Sequence, residues 1–406
     1  MKLAIVSDLH IGYPRFSEDA YLQATEALNI ASKSADAILI AGDVFDSRTP
    51  KPEAMAQAIN LFRTISRREW KAKVESFTSN SEHNKQNNTD VPIVAISGTH
   101  ERLAEGKDNA LNLLGLAGLL VDTSEATTVI KKNNERIAIF GFGGISEDRV
   151  KGALSSLSPS PVKGAFNVFM FHQSLYEILP FSDDFIKLWE LPSGFDLYVN
   201  GHIHSRYEAQ VHGKLLLIPG STVITQLKDA EQEQKGFILF DTDKYSYEFV
   251  KINSRKFVSL KINADGKKPM EIQGLCSARI EQTLASTSNP IIRVTIEGTL
   301  ADGHSKSELS LARLAAKHSS NAVIEIDSSK LVQSGIERSI SELREGRIGE
   351  MSIKELGALL LNSRLNELNA DKAIDYQVLF GILSGSTSKE SAISEANKML
   401  FSEQAE

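Results

Sequence analysis

Cysteine is nearly missing from this chain: one residue of 406, Cys276, which excludes an intramolecular disulfide and any thiolate metal cluster. Long apolar runs are missing too. The longest, "LLGLAGLLV" at Leu113 to Val121, cannot span a bilayer, so no membrane association is expected. The start, "MKLAIVSDLH", reaches Ser7 and Asp8 after a short apolar stretch, well below a signal-peptide core. A cytoplasmic, reducing compartment is therefore expected. Positive charge is in deficit: the formal net charge of −7 excludes a surface that binds polyanions everywhere, but permits a local basic patch. What remains is ordinary globular composition, 41% hydrophobic and 24% charged, at a length that predicts two or three domains.

The first part of the chain alternates strand-like and helix-like segments: "LAIV", "EDAYLQATEALNIASKS", "AILIAG", "PEAMAQAINLFRTIS", "PIVAIS". This βαβαβ rhythm predicts an α/β layer with strands buried on both faces. A polar insertion, Arg67 to Asp90, breaks the rhythm and reads as a surface excursion. After Asn133 strands come densely, in "RIAIFGF", "FNVFMF", "DLYVN", "KLLLIPG" and "GFILFD", which suggests a second sheet packed on the first. Near Asp241 a separate small α/β domain is expected to begin, and from about Gly335 the strands give way to helices. Capping boxes open two of them, Ser352 to Glu355 and Thr387 to Glu390. The expected division is thus 1–240, 241–334 and 335–406. Short amphipathic helices at a chain end either pack on their own domain or wait for a partner, and periodicity does not separate the two. From Lys244 to Lys268 seven Lys or Arg stand against two acids, the best candidate for a basic patch, although a solvated strand face reads equally well.

The chemistry lies in the placement of histidine. Five of the nine histidines follow an apolar strand directly: His10 after "KLAIV", His100 after "PIVAIS", His172 after "FNVFMF", and His202 and His204 after "DLYVN". Asp8 and Asp43 are placed in the same way. His83, His212, His304 and His318 are scattered. Any one of the five would ordinarily be a satisfied surface or core residue, but seven such residues at strand carboxyl ends point to one crevice, where open α/β sheets bind ligands. Imidazoles and carboxylates without thiolates suit Mn²⁺, Fe or Zn. There are too many for one ion. Two ions roughly 3.5–4 Å apart would use them all, the arrangement for in-line displacement at phosphorus by a hydroxide held between them. A histidine outside the ligand set could then serve the leaving oxygen, and His100, oriented by Glu101, is the candidate.

In order along the chain, "SDLH", "GDVFD", "GTHE", "FHQS" and "NGHIH" resemble the five signatures of the calcineurin-like metallophosphoesterases, across about the first half of the sequence. Within that superfamily, "SDLHIGY", "AGDVFD" and "GHIH" followed by "IPGST", then a small α/β domain and a helical tail, look most like the archaeal Mre-eleven and SbcD double-strand-break repair nucleases. The resemblance implies an α/β fold, a two-sheet αββα sandwich followed by a small α/β capping domain and a C-terminal helical element. It implies that Asp8, His10, Asp43 and His204 hold one divalent ion, that Asp43, His172 and His202 share a second, that both are Mn²⁺, and that His100 stabilises the leaving group. It further implies exonuclease action on double-stranded and endonuclease action on single-stranded DNA, homodimerisation, and a chromosome-associated prokaryotic complex with a Rad-fifty or SbcC-type ABC ATPase. Lys251, Arg255, Lys256 and Lys261 would then be DNA contacts in the capping domain, and Leu356, Leu360, Ile393 and Leu400 would face the ATPase.

One letter departs from the pattern. Where the family's third signature has an asparagine that ligates the second metal, this chain has Thr99. A shorter hydroxyl predicts a weaker second site. Two other readings stand beside the nuclease: a metallophosphodiesterase acting on small nucleotides or phosphoproteins, and a weakly active DNA-binding scaffold.

Overall fold

The computed structural model describes residues 1–79, 89–102, 108–333, 361, 376–385 and 393–394. Its contacts divide into two compact units, Met1–Ser259 with Asn289–Ile291, and Leu260–Ser288 with Ile292–Glu406.

The first unit is built on two sheets. One has six strands: β1 (Lys2–Val6), β2 (Ala37–Ile40), β4 (Ile93–Ala95), β5 (Val121–Asp122), β12 (Gly236–Asp241) and β13 (Ser246–Lys251), in the order β13-β12-β1-β2-β4-β5. The stretch β1-β2-β4-β5 is parallel, so its carboxyl ends lie on one edge. The other sheet has seven strands. They are β3 (Lys73–Ser79), β6 (Ala126–Lys132), β7 (Glu135–Phe142), β8 (Phe166–Phe171), β9 (Leu197–Asn200), β10 (Tyr207–Val211) and β11 (Lys214–Ile218), in the order β10-β11-β9-β8-β7-β6-β3. Here β7, β8 and β9 are parallel.

The burial pattern explains the layering. β1 and β2 are apolar at nearly every position because both of their faces are covered. Leu3, Ile5, Leu39 and Val94 face Ile139, Val168, Met170, Leu197 and Val199 between the sheets. The alternate residues Ala4, Val6, Ile38 and Ile40 pack with helices α1 (Ser17–Ser34), α2 (Pro52–Ser66) and α3 (Ala110–Leu116). Behind the second sheet, Phe140, Phe169 and Tyr198 pack with Val150 and Leu154 of α4 (Glu147–Leu157). The unit is therefore the expected αββα sandwich.

Two sequence expectations need correction. β13 lies on the far side of the expected boundary at Asp241, yet it pairs antiparallel with β12 along its whole length and so belongs to the first sheet. The polar stretch Arg67 to Asp90, expected as an excursion, contains β3, the edge strand paired with β6. β3 alternates exposed and half-buried positions because one of its sides is free, which is why its sequence lacks an apolar run.

The second unit holds the sheet order β14 (Phe257–Asn263), β15 (Ile291–Thr299), β16 (Val323–Asp327), with β17 (Leu331–Val332) beside β15. Its core joins Ile262, Val294 and Ile296 to Ile272, Cys276 and Ile280, which recur every fourth residue on α5 (Pro269–Ser286). Helix α6 is Leu311–Lys317, and α7 is Tyr376–Gly385. Both capping boxes and Leu356, Leu360 and Leu400 lie outside the described residues.

Candidate metal centre

The carboxyl ends of β1, β2 and β4 in one sheet and of β8 and β9 in the other carry the seven residues singled out by their placement, His100 among them. The chain leaves these strands abruptly. Asp8, His10, Asp43 and His202 have left-handed backbones, with φ of 53°, 48°, 50° and 69°. Such conformations cost about 1–3 kcal/mol each for side chains other than glycine, and persist where the surroundings over-determine them. Here the turns hold one another. Asp8 N–H donates to Gly42 O at 3.1 Å, His10 N–H to Asp43 O at 3.0 Å, and Thr222 N–H to Asp8 O at 3.3 Å. Two glycines let the backbones approach: a Cβ on Gly98 would run into Asp43, and one on Gly201 would meet Ala41 O, Ser7 Oγ and His172 Nδ1.

One set of donors is Asp8, His10 and His204, whose ligand atoms all lie within 4.8 Å of one another. His10 Nδ1–H donates to Asp46 Oδ1 at 3.1 Å, so its Nε2 carries a lone pair. His204 Nδ1 is held by Thr225 Oγ1 at 2.6 Å, with Glu231 Oε1 at 3.7 Å, which turns its Nε2 towards His10. The two Nε2 atoms face each other at 3.2 Å, and Asp8 Oδ1 lies 3.9 Å from one and 3.6 Å from the other. Asp8 Oδ1 is buried without a hydrogen-bond partner. Two lone pairs and a carboxylate oxygen aimed at one point repel unless a cation stands among them.

The second set is Asp43, His172 and His202. His172 Nδ1–H donates to Ala41 O at 2.7 Å, which turns Nε2, buried and otherwise unpartnered, towards Asp43 Oδ2 at 3.2 Å. Burial favours the neutral forms of both groups, but the attraction between them prevails. The charge and hydrogen bond of His172, with the charges of His10 and His100, hold the Asp43 carboxyl well below the usual range, and Asp43 with Asp8 pushes His172 up to about 9. His202 goes the other way, down to about 4, through burial and the neighbouring charge of His172. The Ser174 hydroxyl gives its one proton to Glu147 Oε1 at 2.9 Å and accepts from His202 Nε2–H at 3.1 Å. The free donor of His202 is therefore Nδ1. The residues present fit two divalent cations held by nitrogen and oxygen.

His100 stands at the rim, its side chain 44% exposed. Its backbone N–H donates to Asp43 Oδ1 at 2.9 Å and its Nδ1–H to Asp46 O at 2.7 Å, so Nε2 is the ring nitrogen that Asp46 does not hold. Glu101 does not play the part expected of it. It is fully buried, and its carboxylate accepts from Phe45 N–H and Gly98 N–H, both at 2.7 Å, so it clamps the third turn to the second. Burial, followed by the charge of Asp43, raises its carboxyl to about 8. The residue that orients the His100 ring is Asp46, which sequence reasoning missed although it ends the quoted "GDVFD". Thr99 Oγ1 reaches Asp43 Oδ2 only at 3.5 Å. The scattered His212 donates to Leu191 O at 2.8 Å, an ordinary role.

The remaining candidates divide between the units. Lys251 and Lys256 are exposed in the first, where Arg255 pairs with Asp19 of α1 at 3.3 Å, while Lys261 is exposed in the second. Ile393 is half exposed, as are Val378 and Leu383 of α7. No helix among the described residues is long and apolar enough to cross a membrane.

This fold, with histidines and aspartates at the ends of parallel strands in two packed sheets, defines a class, and comparison with known proteins agrees with it. Residues 1–206 match the calcineurin-like phosphoesterase family, and the chain belongs to that family of metal-dependent phosphoesterases. Within it, the chain is 26% identical over 314 residues to the DNA double-strand break repair protein Mre11 of Sulfolobus acidocaldarius, covering 74% of this chain and 76% of the relative. The Mre11 protein of Saccharolobus solfataricus is 26% identical over 311 residues, with 72% and 74% covered. The double-strand break repair protein MRE11 of Encephalitozoon cuniculi is 29% identical over 277 residues, 63% of this chain but only 48% of that protein. The chain thus spans about three quarters of these archaeal relatives and about half of the eukaryotic one.

Proposed function

We propose that this protein is a two-metal DNA nuclease of double-strand-break repair, an exonuclease on double-stranded and an endonuclease on single-stranded DNA. The observation that carries the reading is the convergence of imidazole nitrogens on buried carboxylate oxygens, the Nε2 atoms of His10 and His204 beside Asp8 Oδ1 and the Nε2 of His172 on Asp43. Asp8, His10, Asp43 and His204 hold one ion; Asp43, His172 and His202, with Thr99 beside them, hold the other. Mixed imidazole and carboxylate ligands without thiolates suit Mn²⁺, Fe or Zn, and Mn²⁺ is proposed among them because the resemblance to the repair nucleases implies it. The ions supply an activated water and neutralise charge at phosphorus.

His100 does the rest. With Nδ1–H anchored on Asp46 O, the protonated ring presents Nε2–H to the leaving oxygen and gives up that proton as the P–O bond breaks. Its exposure at the rim leaves room for a polymer strand.

The names of the relatives motivate the larger setting. The exposed Lys251, Lys256 and Lys261 are proposed DNA contacts, whereas Arg255 must leave Asp19 to join them. Self-association would use exposed apolar side chains on the helices of the first unit, such as Ile59 and Leu113. The ABC ATPase would dock on the C-terminal helices, where Val378, Leu383 and Ile393 are exposed. A chromosome-associated place in the cytoplasm follows from these partners.

The test is end-labelled duplex and single-stranded DNA incubated with Mn²⁺, Mg²⁺ or chelator, beside bis-nitrophenyl phosphate and cyclic nucleotides. Mn²⁺-dependent DNA cleavage abolished by chelator is expected. Turnover of the small esters with DNA left intact would move the protein to the small-substrate phosphodiesterases, and DNA binding without any turnover would make it a scaffold.

A further inference from the structure

His204 is the one member of the first donor set that comes from the second sheet. Asp8 and His10 follow β1, whereas His204 follows β9, so the geometry of the set depends on how the two sheets are tied at this edge. The tie is a buried ion pair. Lys235, 4% exposed, immediately precedes β12, the neighbour of β1, and Glu231, 3% exposed, lies four residues before it. Lys235 Nζ donates to His204 O at 3.2 Å, to Ser221 Oγ at 2.8 Å and to Glu231 Oε2 at 3.1 Å. Glu231 in turn accepts from Gln226 N–H at 2.6 Å and Thr225 N–H at 3.2 Å, which fixes the loop that places Thr225 Oγ1 on His204 Nδ1. Ser221 N–H closes the circuit on His204 O at 3.1 Å.

A buried ion pair is weak evidence for stability, since apolar residues of the same volume often serve as well. Apolar residues could not, however, donate to the His204 carbonyl or accept from the Thr225 and Gln226 amides. Both backbone and ring of His204 are reached by this one network. Ring orientation and tautomer of a ligating histidine are set by the group on its other nitrogen, and loss of such a group typically weakens metal binding 10–100-fold.

We propose that Lys235, Glu231 and Thr225 are positioning residues that lock His204 onto the framework of the first sheet and so set the affinity of the Asp8, His10 and His204 ligand set for its cation, without acting on the Asp43, His172 and His202 set. The inference rests on the reading that these sets hold metal. The experiment is a Mn²⁺ titration of the full chain without substrate, read by the electron paramagnetic resonance of free Mn²⁺. Wild type is expected to bind two ions. In Thr225→Val one of the two weakens about 10–100-fold and the other does not change, and Thr225→Ser, which keeps the hydroxyl, restores the wild-type curve. Lys235→Met behaves as Thr225→Val does; should it fail to fold, the Thr225 pair decides. In a His172→Ala background, which leaves the first set alone, Thr225→Val weakens the ion that remains. Unchanged binding in Thr225→Val, or equal weakening of both ions, would overturn the inference while leaving the metal reading in place. A wild type that bound no Mn²⁺ would overturn the metal reading, and the inference with it.

Discussion

The two compact units are made from the same elements, strands covered by amphipathic helices, and treat charge in opposite ways. The first takes Asp8, His10, Asp43, Glu101 and His172 out of water at the ends of its strands. The second has an apolar core around Ile272, Cys276 and Val294, and keeps its ion pairs near the surface: Arg293 with Asp327 at 2.7 Å, Lys317 with Glu281 at 2.9 Å, His304 with Glu308 at 3.0 Å. Arg293 and Asp327 are half-buried, whereas Lys317 and Glu281 are exposed on both sides; exposed pairs contribute little to stability, whereas unpaired buried charge is strongly unfavourable. A unit that keeps buried charge, and bends its backbone into left-handed turns to aim it, carries the chemistry. The other is shaped by packing.

The comparison is broken most directly at His100. His100→Ala is expected to lower kcat on DNA about 10²–10⁴-fold with Mn²⁺ binding retained, whereas Arg293→Ala in the second unit leaves kcat at saturating DNA unchanged. Equal losses in the two variants would erase the division of labour. Asp46→Ala comes next. It removes the acceptor for His10 Nδ1–H while leaving the Asp46 carbonyl on His100, so a loss of about 10–100-fold in metal affinity is expected with a smaller change in kcat at saturating Mn²⁺. Thr99→Asn should act in the opposite direction: one added ligand is expected to tighten one Mn²⁺ about tenfold, or about 1.4 kcal/mol, with activity kept or raised. A titration in which Thr99→Asn abolished binding would remove Thr99 from the neighbourhood of the metal.

The five turns were legible in the sequence because each follows an apolar run that can only be a buried strand, and parallel strands bring their ends together without further instruction. The residues that hold those turns were not legible. Asp46, Thr225, Glu231 and Lys235 act through side-chain contacts across the fold, and no periodicity marks which carboxylate will meet which imidazole. Glu101 was misread for the same reason: adjacency to His100 suggested contact, but successive residues at this turn point apart, and its carboxylate went to Phe45 and Gly98 N–H. β3 was not read as a strand because an edge strand with a free side needs no apolar run; the alternating strand at β13 is legible, but the boundary near Asp241 was drawn where hydrophobicity fell and not where pairing ended, so it was given to the wrong domain.

The smallest effects lie in the pH dependence of stability, where two aspartates bring out the contrast between the units. Asp122, buried at the end of β5, has its carboxyl raised from 3.8 to about 6 by burial, against hydrogen bonds from Ser124. The folded chain therefore holds this proton more tightly than the unfolded chain. The stabilisation is fully present below pH 3.8 and is lost as pH rises through about 6, for a total of about 3 kcal/mol. Asp122→Asn, which keeps an acceptor for Ser124 and removes the charge, should flatten the thermal melting curve of the first unit between pH 4 and 7 and raise its Tm at pH 8. Asp327 at the surface of the second unit is lowered from 3.8 to about 2, by hydrogen bonds from Ser329 first and Arg293 after it. Its contribution has the opposite sign: it is present above pH 3.8 and lost as pH falls through about 2. Solvent screening keeps it small, so Asp327→Asn should shift the Tm of the second unit by a few degrees at most at pH 7 and by progressively less as pH falls below 2. Melting curves of the two variants that moved in the same direction with pH would mean that the units do not differ in how they handle charge.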